Sequence, residues 1–125
     1  QEFSLIPSLT VAQNVFLNQE PMNRLGLIND REAERAAARI FADMGVSVDP
    51  RSPLEKLGTA YWQLVEIAKA LAKNATVLVM DEPTASLAKH EVDNLFELIR
   101  RLKDRGIAIV YISHRMDEIR KIADT

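Results

Sequence analysis

Apolar residues recur every three or four positions along three long stretches of the chain, which is the spacing of one face of an α-helix. The stretches cover about residues 30–44, 59–72 and 88–104, and the first and third carry charged residues on their other side. Gly45 and Gly106 follow two of these stretches, where glycine commonly ends a helix. The middle stretch has an apolar side too broad for a half-exposed helix, so we expect most of it to be buried.

Shorter segments complete the predicted helical and irregular structure. Thr10 and Gln13 have the spacing of a capping box and predict a short helix that ends near Asn18. Residues 21–29 contain Pro and Gly and predict a loop, and residues 46–56 contain two prolines and predict an irregular link. A final helix is indicated by three apolar residues at helical spacing: Met116, Ile119 and Ile122.

Two uninterrupted apolar runs, residues 77–80 and 107–112, lie on either side of the third long helix. Runs of this length predict strands that are buried on both faces of a parallel sheet. Strand, helix and strand form one βαβ unit, so we expect parallel strands joined by a right-handed crossover.

The predicted elements divide the chain into two parts. Residues 1–73 are helical with irregular links, and residues 74–125 carry the sheet. A two-stranded parallel sheet is too small to cover itself, so we expect further strands to come from elsewhere. The chain begins and stops without a closing element, which favours a piece of a longer protein.

Composition and charge exclude several classes of protein. Hydrophobic residues make up 47% of the 125 residues, which is enough for the core of one domain. The 16 Lys and Arg residues nearly balance 18 Asp and Glu residues, which argues against nucleic acid as a partner. The absence of cysteine excludes disulfides and thiolate metal sites. No apolar run is long enough to cross a bilayer and no signal peptide opens the chain, so we expect a soluble, cytosolic protein.

An acidic pair and a histidine follow the two predicted strands. Asp81 and Glu82 come directly after the first strand, Pro83 then stops it, and Ser113 and His114 follow the second. Because the carboxyl ends of adjacent parallel strands open on the same edge of a sheet, we expect His114 to lie near both carboxylates. Such a site can hold a metal and polarise water, which is the chemistry of a nucleotide hydrolase. The alternative is an acidic turn and an unrelated loop histidine.

Four segments carry a resemblance to one protein family. They are residues 1–7 (QEFSLIP), 65–71 (VEIAKAL), 81–87 (DEPTASL) and 111–115 (YISHR). In this order and at these intervals they resemble the ATP-binding cassette of ABC transporters, most of all the first cassette of the tandem-cassette proteins that power bacterial importers of ribose, galactose and xylose. The resemblance covers essentially the whole chain. It implies an α/β fold with a partial P-loop NTPase core, which contains the parallel βαβ unit, and an ABC-type α-helical subdomain.

The resemblance implies roles for four residues. Asp81 corresponds to the Walker B aspartate, which holds Mg²⁺, usually through water, and Glu82 to the general base that orients the attacking water. His114 corresponds to the switch histidine, which contacts the γ-phosphate of ATP. Gln1 corresponds to the Q-loop glutamine, which reaches toward the metal and the attacking water and reports site occupancy to the membrane subunit. Phosphoryl transfer asks a protein for this kind of positioning and charge compensation.

The segment in the place of the family's signature motif departs from the usual pattern Leu-Ser-x-Gly-Gln. Its residues are Leu57, Gly58, Thr59, Ala60 and Tyr61. Only the leucine is kept, because glycine replaces the serine, alanine the glycine and tyrosine the glutamine. In the family this motif opens a helix whose N-terminus and serine hydroxyl bind the γ-phosphate held by the facing cassette. We hypothesise that the ATP site completed by this segment is the weaker of two; the alternative is subfamily drift without consequence.

Two further departures concern other family motifs. The D-loop order Ser-Ala-Leu-Asp appears as Ala85-Ser86-Leu87-Ala88, which lacks the aspartate. The phosphate-binding pattern Gly-x-x-x-x-Gly-Lys-Ser/Thr is absent from the chain, which has only four glycines. We therefore expect the chain by itself to bind Mg-ATP weakly or not at all. In this fold the phosphate-loop strand lies beside the strand that leads to His114, so its absence predicts an exposed apolar edge over residues 107–112 and self-association of the isolated chain.

The resemblance implies that the parent protein is the ATP-hydrolysing subunit of a sugar importer. Its cofactors would be ATP and Mg²⁺, and its partners the membrane permease subunits and a second cassette, in tandem or as a dimer. Its location would be cytoplasmic, on the inner face of the cell membrane. The alternatives are a non-transport ATPase with the same cassette and a non-catalytic interaction module that docks a membrane partner.

Overall fold

The computed structural model describes residues 5–17, 30–85 and 87–122. The elements are α1 (Val11–Val15), α2 (Asp30–Met44), a 3₁₀ turn (Leu54–Lys56), α3 (Thr59–Ala72), β1 (Val77–Asp81), α4 (Lys89–Asp104), β2 (Ala108–Ile112) and α5 (Met116–Ile122). This order confirms the predicted helices and the strand, helix and strand of one βαβ unit. The loop predicted over residues 21–29 lies outside the described residues. Among the described helices none is long and apolar enough to cross a membrane.

The chain forms two compact units, and the division between them falls in the sequence between Asn74 and Ala75. The first contains α1, α2, α3 and the 3₁₀ turn, and its core is largely apolar, with Asn14 as a fully buried polar residue. Its apolar side chains with almost no exposed surface are Val11, Val15, Ala37, Phe41, Leu54, Val65 and Ala68. The positions of Ala37 and Phe41 confirm the apolar face predicted for α2, and Gly45 ends that helix with a φ of 77°.

The predicted capping box opens α1. The backbone N–H of Gln13 donates to Thr10 Oγ1 at 3.1 Å, and the backbone N–H of Thr10 donates to Gln13 Oε1 at 2.9 Å. The helix ends at Val15, earlier than the predicted end near Asn18, which lies outside the described residues. Its last turn tightens, because the N–H of Leu17 bonds to the carbonyl of Asn14, three residues back, at 3.3 Å. Apolar spacing does not encode this change in hydrogen bonding.

The second unit contains a parallel pair of strands, as predicted. The register runs from Val77 opposite Ala108 to Asp81 opposite Ile112. Helix α4 covers one face of the pair, where the ring of Phe96 meets the ring of Tyr111 edge-on with their centroids 6.1 Å apart. Gly106 follows α4 with a φ of 90° and turns the chain into β2.

The other face of the sheet is open, so the prediction that both strands are buried on both faces was wrong. Val77 and Val79 are 54% and 65% exposed, and Val110 and Ile112 are 47% and 46% exposed. Only Leu78 and Met80 of β1 are buried. Side chains alternate between the faces of a strand, and α4 covers only one of them, so every second residue is exposed.

The apolar side predicted for α5 was also partly wrong. Ile122 is buried, but Met116 is 60% exposed, whereas the charged residue Glu118 is only 5% exposed. Apolar spacing placed Met116 inside because the pattern takes no account of hydrogen-bonding partners. Glu118 is buried because three hydroxyl groups and an arginine surround its carboxylate.

Candidate active site

The acidic pair lies at the carboxyl end of β1. Asp81 is the last residue of the strand, and Glu82 follows it with a left-handed φ of 49°. The backbone N–H of Glu82 donates to the carbonyl of Ile112 at 2.8 Å, so the hydrogen bonding between the strands continues one residue beyond β1. Residues other than glycine are uncommon in this region of φ and ψ, because the β-carbon is strained there. The backbone conformation of Glu82 is therefore held in place by the surrounding structure.

Glu82 and His114 are in direct contact. Glu82 Oε1 accepts a hydrogen bond from the backbone N–H of His114 at 3.0 Å, and it lies 3.4 Å from His114 Nε2. The side chain of His114 is 96% exposed and that of Glu82 is 31% exposed. The predicted convergence of the histidine with the acidic pair is therefore confirmed for Glu82. Asp81 adjoins this contact through its pairing with Ile112, two residues before His114.

The donor groups at this edge suit a magnesium ion held together with phosphate. Asp81 is exposed, and its carboxylate is a hard oxygen ligand. Mg²⁺ is usually bound by one or two carboxylates together with water and substrate phosphates, so Asp81 fits this requirement. No group of three or more His, Cys, Asp or Glu residues that could enclose a metal occurs in the described part of the chain. Gln1, the other predicted metal contact, lies outside the described residues.

The segment over residues 57–61 forms the start of α3. Leu57 ends the 3₁₀ turn, Gly58 is the N-cap of α3 with an extended backbone, and Thr59 is the first helical residue. No side chain caps this helix, and a β-carbon added at Gly58 would have no atom within 4 Å. Thr59 and Tyr61 are exposed and Ala60 is half-buried. The helix N-terminus is thus exposed, and its dipole favours an anion, although the N–H of Tyr61 already donates to the carbonyl of Gly58 at 3.0 Å.

Trp62 anchors this turn, a role that the sequence did not indicate. Its indole N–H lies 3.2 Å from the carbonyl oxygens of both Leu54 and Leu57. A single donor shared between these carbonyls ties the 3₁₀ turn to the first turn of α3. Trp62 therefore determines the direction from which the chain enters the helix.

Glu118 is the second residue that sequence reasoning missed. Its Oε1 accepts hydrogen bonds from the hydroxyls of Thr84 at 2.7 Å, Tyr111 at 3.2 Å and Ser113 at 3.4 Å. Arg115 contacts the other carboxylate oxygen at 3.4 Å. Burial, and then the negative charge of Glu118, raise the pKa of Tyr111 well above its ordinary value, so its hydroxyl is a proton donor here. Glu118 lies in α5 with the charged residues Asp117, Arg120 and Lys121, so apolar spacing gave no signal for its burial.

Comparison with known sequences decides the family. The sequence model of the family described as ABC transporter matches residues 1–85, more than half of the chain. The chain belongs to the ABC transporter family. The resemblance seen in the motifs is thereby confirmed.

Curated relatives of this ABC transporter chain match nearly all of it. The ribose import ATP-binding protein RbsA 1 of Streptomyces avermitilis is 51% identical over 124 residues, which cover 99% of this chain and 24% of the relative. The ribose import ATP-binding protein RbsA 1 of Rubrobacter xylanophilus is 48% identical over 124 residues, which cover 99% of this chain and 25% of the relative. The chain spans about a quarter of the length of these relatives.

Solved ABC transporter structures share the fold. The structure of cbiO1 from Clostridium perfringens, part of the ABC transporter complex cbiONQ, has a TM-score of 0.77 and 25% identity, and the match covers 97% of this chain and 47% of that one. The dimeric post-hydrolysis state of the ATP-binding cassette MJ0796 bound to ADP and Pi has a TM-score of 0.72 and 26% identity, with 96% and 52% covered. These matches confirm the predicted fold class, a partial P-loop NTPase core with an ABC-type helical part.

Proposed function

We propose that this chain forms part of the ATP-hydrolysing subunit of an ABC importer for sugars. The contact between Glu82 and His114 at the carboxyl end of the parallel strands carries this proposal. The relatives are named ribose import ATP-binding proteins, which supports sugars as the substrate class.

In the proposed reaction Glu82 is the general base and His114 contacts the γ-phosphate. The Glu82 carboxylate can accept a proton from water, and its hydrogen bond to the backbone of His114 holds it at the edge of the sheet. The imidazole of His114 is almost fully exposed, so it is accessible to a phosphate group. Asp81 would hold Mg²⁺, which supplies charge compensation for the phosphates when it is bound. Gln1 is proposed as a further contact to the metal and the attacking water.

Residues 57–61 are proposed to contact the nucleotide of a facing cassette through the N-terminus of α3. The open helix terminus supports this role, because its N–H groups and dipole attract phosphate. Gly58 has no hydroxyl, and one charge-assisted hydrogen bond is worth roughly 1.5–3 kcal/mol. We propose that the site completed by this segment is the weaker of a pair.

The same missing hydroxyl favours a second candidate function, a non-catalytic or regulatory cassette. In that case the helical unit would dock a membrane partner while another cassette hydrolyses ATP. The Glu82 contact favours the catalytic alternative, because a docking module has no need for a carboxylate and an imidazole held together at the sheet edge.

The remaining assignments concern partners, location and domains. We propose membrane permease subunits and a second cassette as partners, and a position on the cytoplasmic face of the cell membrane. We propose that residues 1–73 form a helical subdomain. Residues 74–125 would form the half of the nucleotide-binding core that carries the Walker B and switch-histidine motifs. The open sheet face supports the proposal that the 125-residue chain by itself self-associates. We also propose that it lacks activity, because the phosphate-binding pattern is absent from its sequence.

The test is the substitution Glu82→Gln in the full-length subunit. Glutamine keeps the shape and one acceptor for the N–H of His114, but it is a far weaker base. We expect ATP hydrolysis to fall by about 100-fold or more while ATP binding is retained. Glu97→Gln, on an exposed face of α4, is the matched control and should leave the rate unchanged. A Glu82→Gln subunit that hydrolyses ATP at the unmodified rate would reject the catalytic proposal in favour of the non-catalytic one.

A further inference from the structure

The carboxylate of Glu118 joins the two segments that carry the proposed site. Thr84 lies two residues after Glu82, and Ser113 lies one residue before His114. Both hydroxyls donate to the same atom, Glu118 Oε1, at 2.7 and 3.4 Å. Tyr111, on β2, donates to this atom as well at 3.2 Å. One carboxylate thus connects the turn after β1, the strand β2 and the segment that leads into α5.

The direct contact between Glu82 and His114 is exposed to water. Exposed contacts of this kind contribute little to holding two segments in a constant relative position. The Glu118 network differs, since Thr84 is fully buried and Glu118 is 5% exposed. Buried hydrogen bonds of this kind rigidify their surroundings, provided that each polar group has a partner. Ser113 meets this condition, because its oxygen also accepts the backbone N–H of Arg115 at 3.0 Å while its proton is free for Glu118. The rigid connection therefore lies beneath the site rather than within it.

We propose that Glu118 is a positioning residue for ATP hydrolysis, which acts by holding the turn of Glu82 and the segment of His114 at a constant separation. This inference rests on the proposed function, because it assigns Glu118 to the same site. Glu118 does not contact the nucleotide or the attacking water. It acts through Thr84 and Ser113, and its loss changes the distance between the general base and the γ-phosphate contact.

The experiment uses the full-length subunit with Glu118→Gln and a pair of variants at Thr84. Glu118→Gln keeps the size of the side chain and weakens its acceptor. Thr84→Val keeps the shape of threonine and removes the hydroxyl, whereas Thr84→Ser keeps the hydroxyl. Asp117→Asn, at the exposed neighbouring position of α5, is the matched control for the loss of one negative charge.

We expect Glu118→Gln and Thr84→Val to lower kcat by roughly 10-fold to 100-fold, since small displacements of catalytic groups have effects of this size. The KM for ATP and the affinity for ATP should change by less than about threefold, because the binding groups remain. Thr84→Ser should recover most of the rate. The combination of Thr84→Val with Glu118→Gln should be no slower than the slower single variant, because both changes act on the same hydrogen bond between Thr84 and residue 118. Hydrogen–deuterium exchange in peptides that cover residues 112–116 should be faster in Glu118→Gln than in Asp117→Asn.

Several outcomes would overturn the inference. One is an unchanged kcat in both Glu118→Gln and Thr84→Val. Another is a loss of activity that is fully explained by a smaller amount of folded, ATP-binding protein. If Glu118→Gln does not fold, the comparison of Thr84→Val with Thr84→Ser decides the question. These results differ from a failure of the proposed function, in which the unmodified subunit lacks ATP hydrolysis or Glu82→Gln retains it. Exchange at residues 112–116 that is unaffected by Glu118→Gln would reject the positioning role without reference to activity.

Discussion

Glu82 and His114 lie 32 residues apart in the sequence, yet the carboxylate of the first accepts the backbone N–H of the second at 3.0 Å. The bond joins the ends of two parallel strands. The pairing of the strands therefore places the proposed base next to the proposed phosphate contact. It uses the backbone of His114 and not its imidazole. The imidazole, whose Nε2 lies 3.4 Å from the same carboxylate oxygen, can therefore leave that contact and turn toward a ligand while the backbone bond stays in place.

The first prediction concerns His114. Replacement of His114 by Ala in the full-length subunit should lower ATP hydrolysis by about 100-fold, because one preorganised contact to the γ-phosphate is lost. The free energy of unfolding should stay the same, since the imidazole is 96% exposed. The measurements are the steady-state rate and a denaturant titration. His90→Ala is the control, because His90 is an exposed histidine on α4, and equal rates in the two variants would contradict the role of His114.

The second prediction concerns Gly58. A serine introduced there has room for its side chain and restores a hydroxyl at the N-cap of α3. If the signature segment completes a nucleotide site, Gly58→Ser should raise the ATP affinity or hydrolysis of that site by about tenfold or more, from one additional charge-assisted hydrogen bond to phosphate. Gly58→Ala adds only the β-carbon and should have no such effect. An unchanged ATPase rate after Ala60→Gly is added, which restores both the serine and the glycine of the pattern, would favour drift without consequence.

The third prediction concerns the start of α4. Ala88 is the N-cap, and its backbone N–H donates to Glu91 Oε1 at 2.9 Å, but alanine has no oxygen to accept a bond from the helix in return. Ala88→Ser completes this capping box, so we expect the free energy of unfolding to increase by about 1 kcal/mol. Chemical denaturation provides the measurement. Ala38→Ser introduces the same residue at an exposed position inside α2 and should be slightly destabilising. A loss of stability in Ala88→Ser would show that the cap is not limiting.

The fourth prediction concerns the open sheet face, whose exposed large apolar residues are Val77, Val79, Val110 and Ile112. Exposed apolar strands without neighbours favour association, so the 125-residue chain should form dimers or larger species at high concentration. Changing both Val79 and Val110 to Thr keeps β-branched side chains and should shift the chain toward monomer in light scattering. Met116→Gln removes an exposed apolar residue of α5 instead and should leave the association unchanged. Monomeric behaviour of the unmodified chain across the concentration range would contradict this prediction.

Much of the fold and the main part of the candidate site follow from local patterns in the sequence. The apolar spacing of α3 predicted its bounds at Thr59 and Ala72, and Thr10 with Gln13 predicted the cap of α1, because propensity, capping and spacing act over a few residues. The pairing of β1 with β2 and the approach of His114 to Glu82 also followed, since parallel strands share one edge for their carboxyl ends.

Only the tertiary structure decided which side chains are buried. Val79 is apolar and exposed, while Glu118 is charged and buried, and neither result can be read from residue type alone. The exposure of Val79 depends on which face α4 covers, and the burial of Glu118 depends on hydroxyls that come from two separate segments. Local sequence determines where helices and strands begin and end, because their hydrogen bonds join near neighbours. The environment of a side chain depends on contacts between distant residues, and these exist only once the chain has folded.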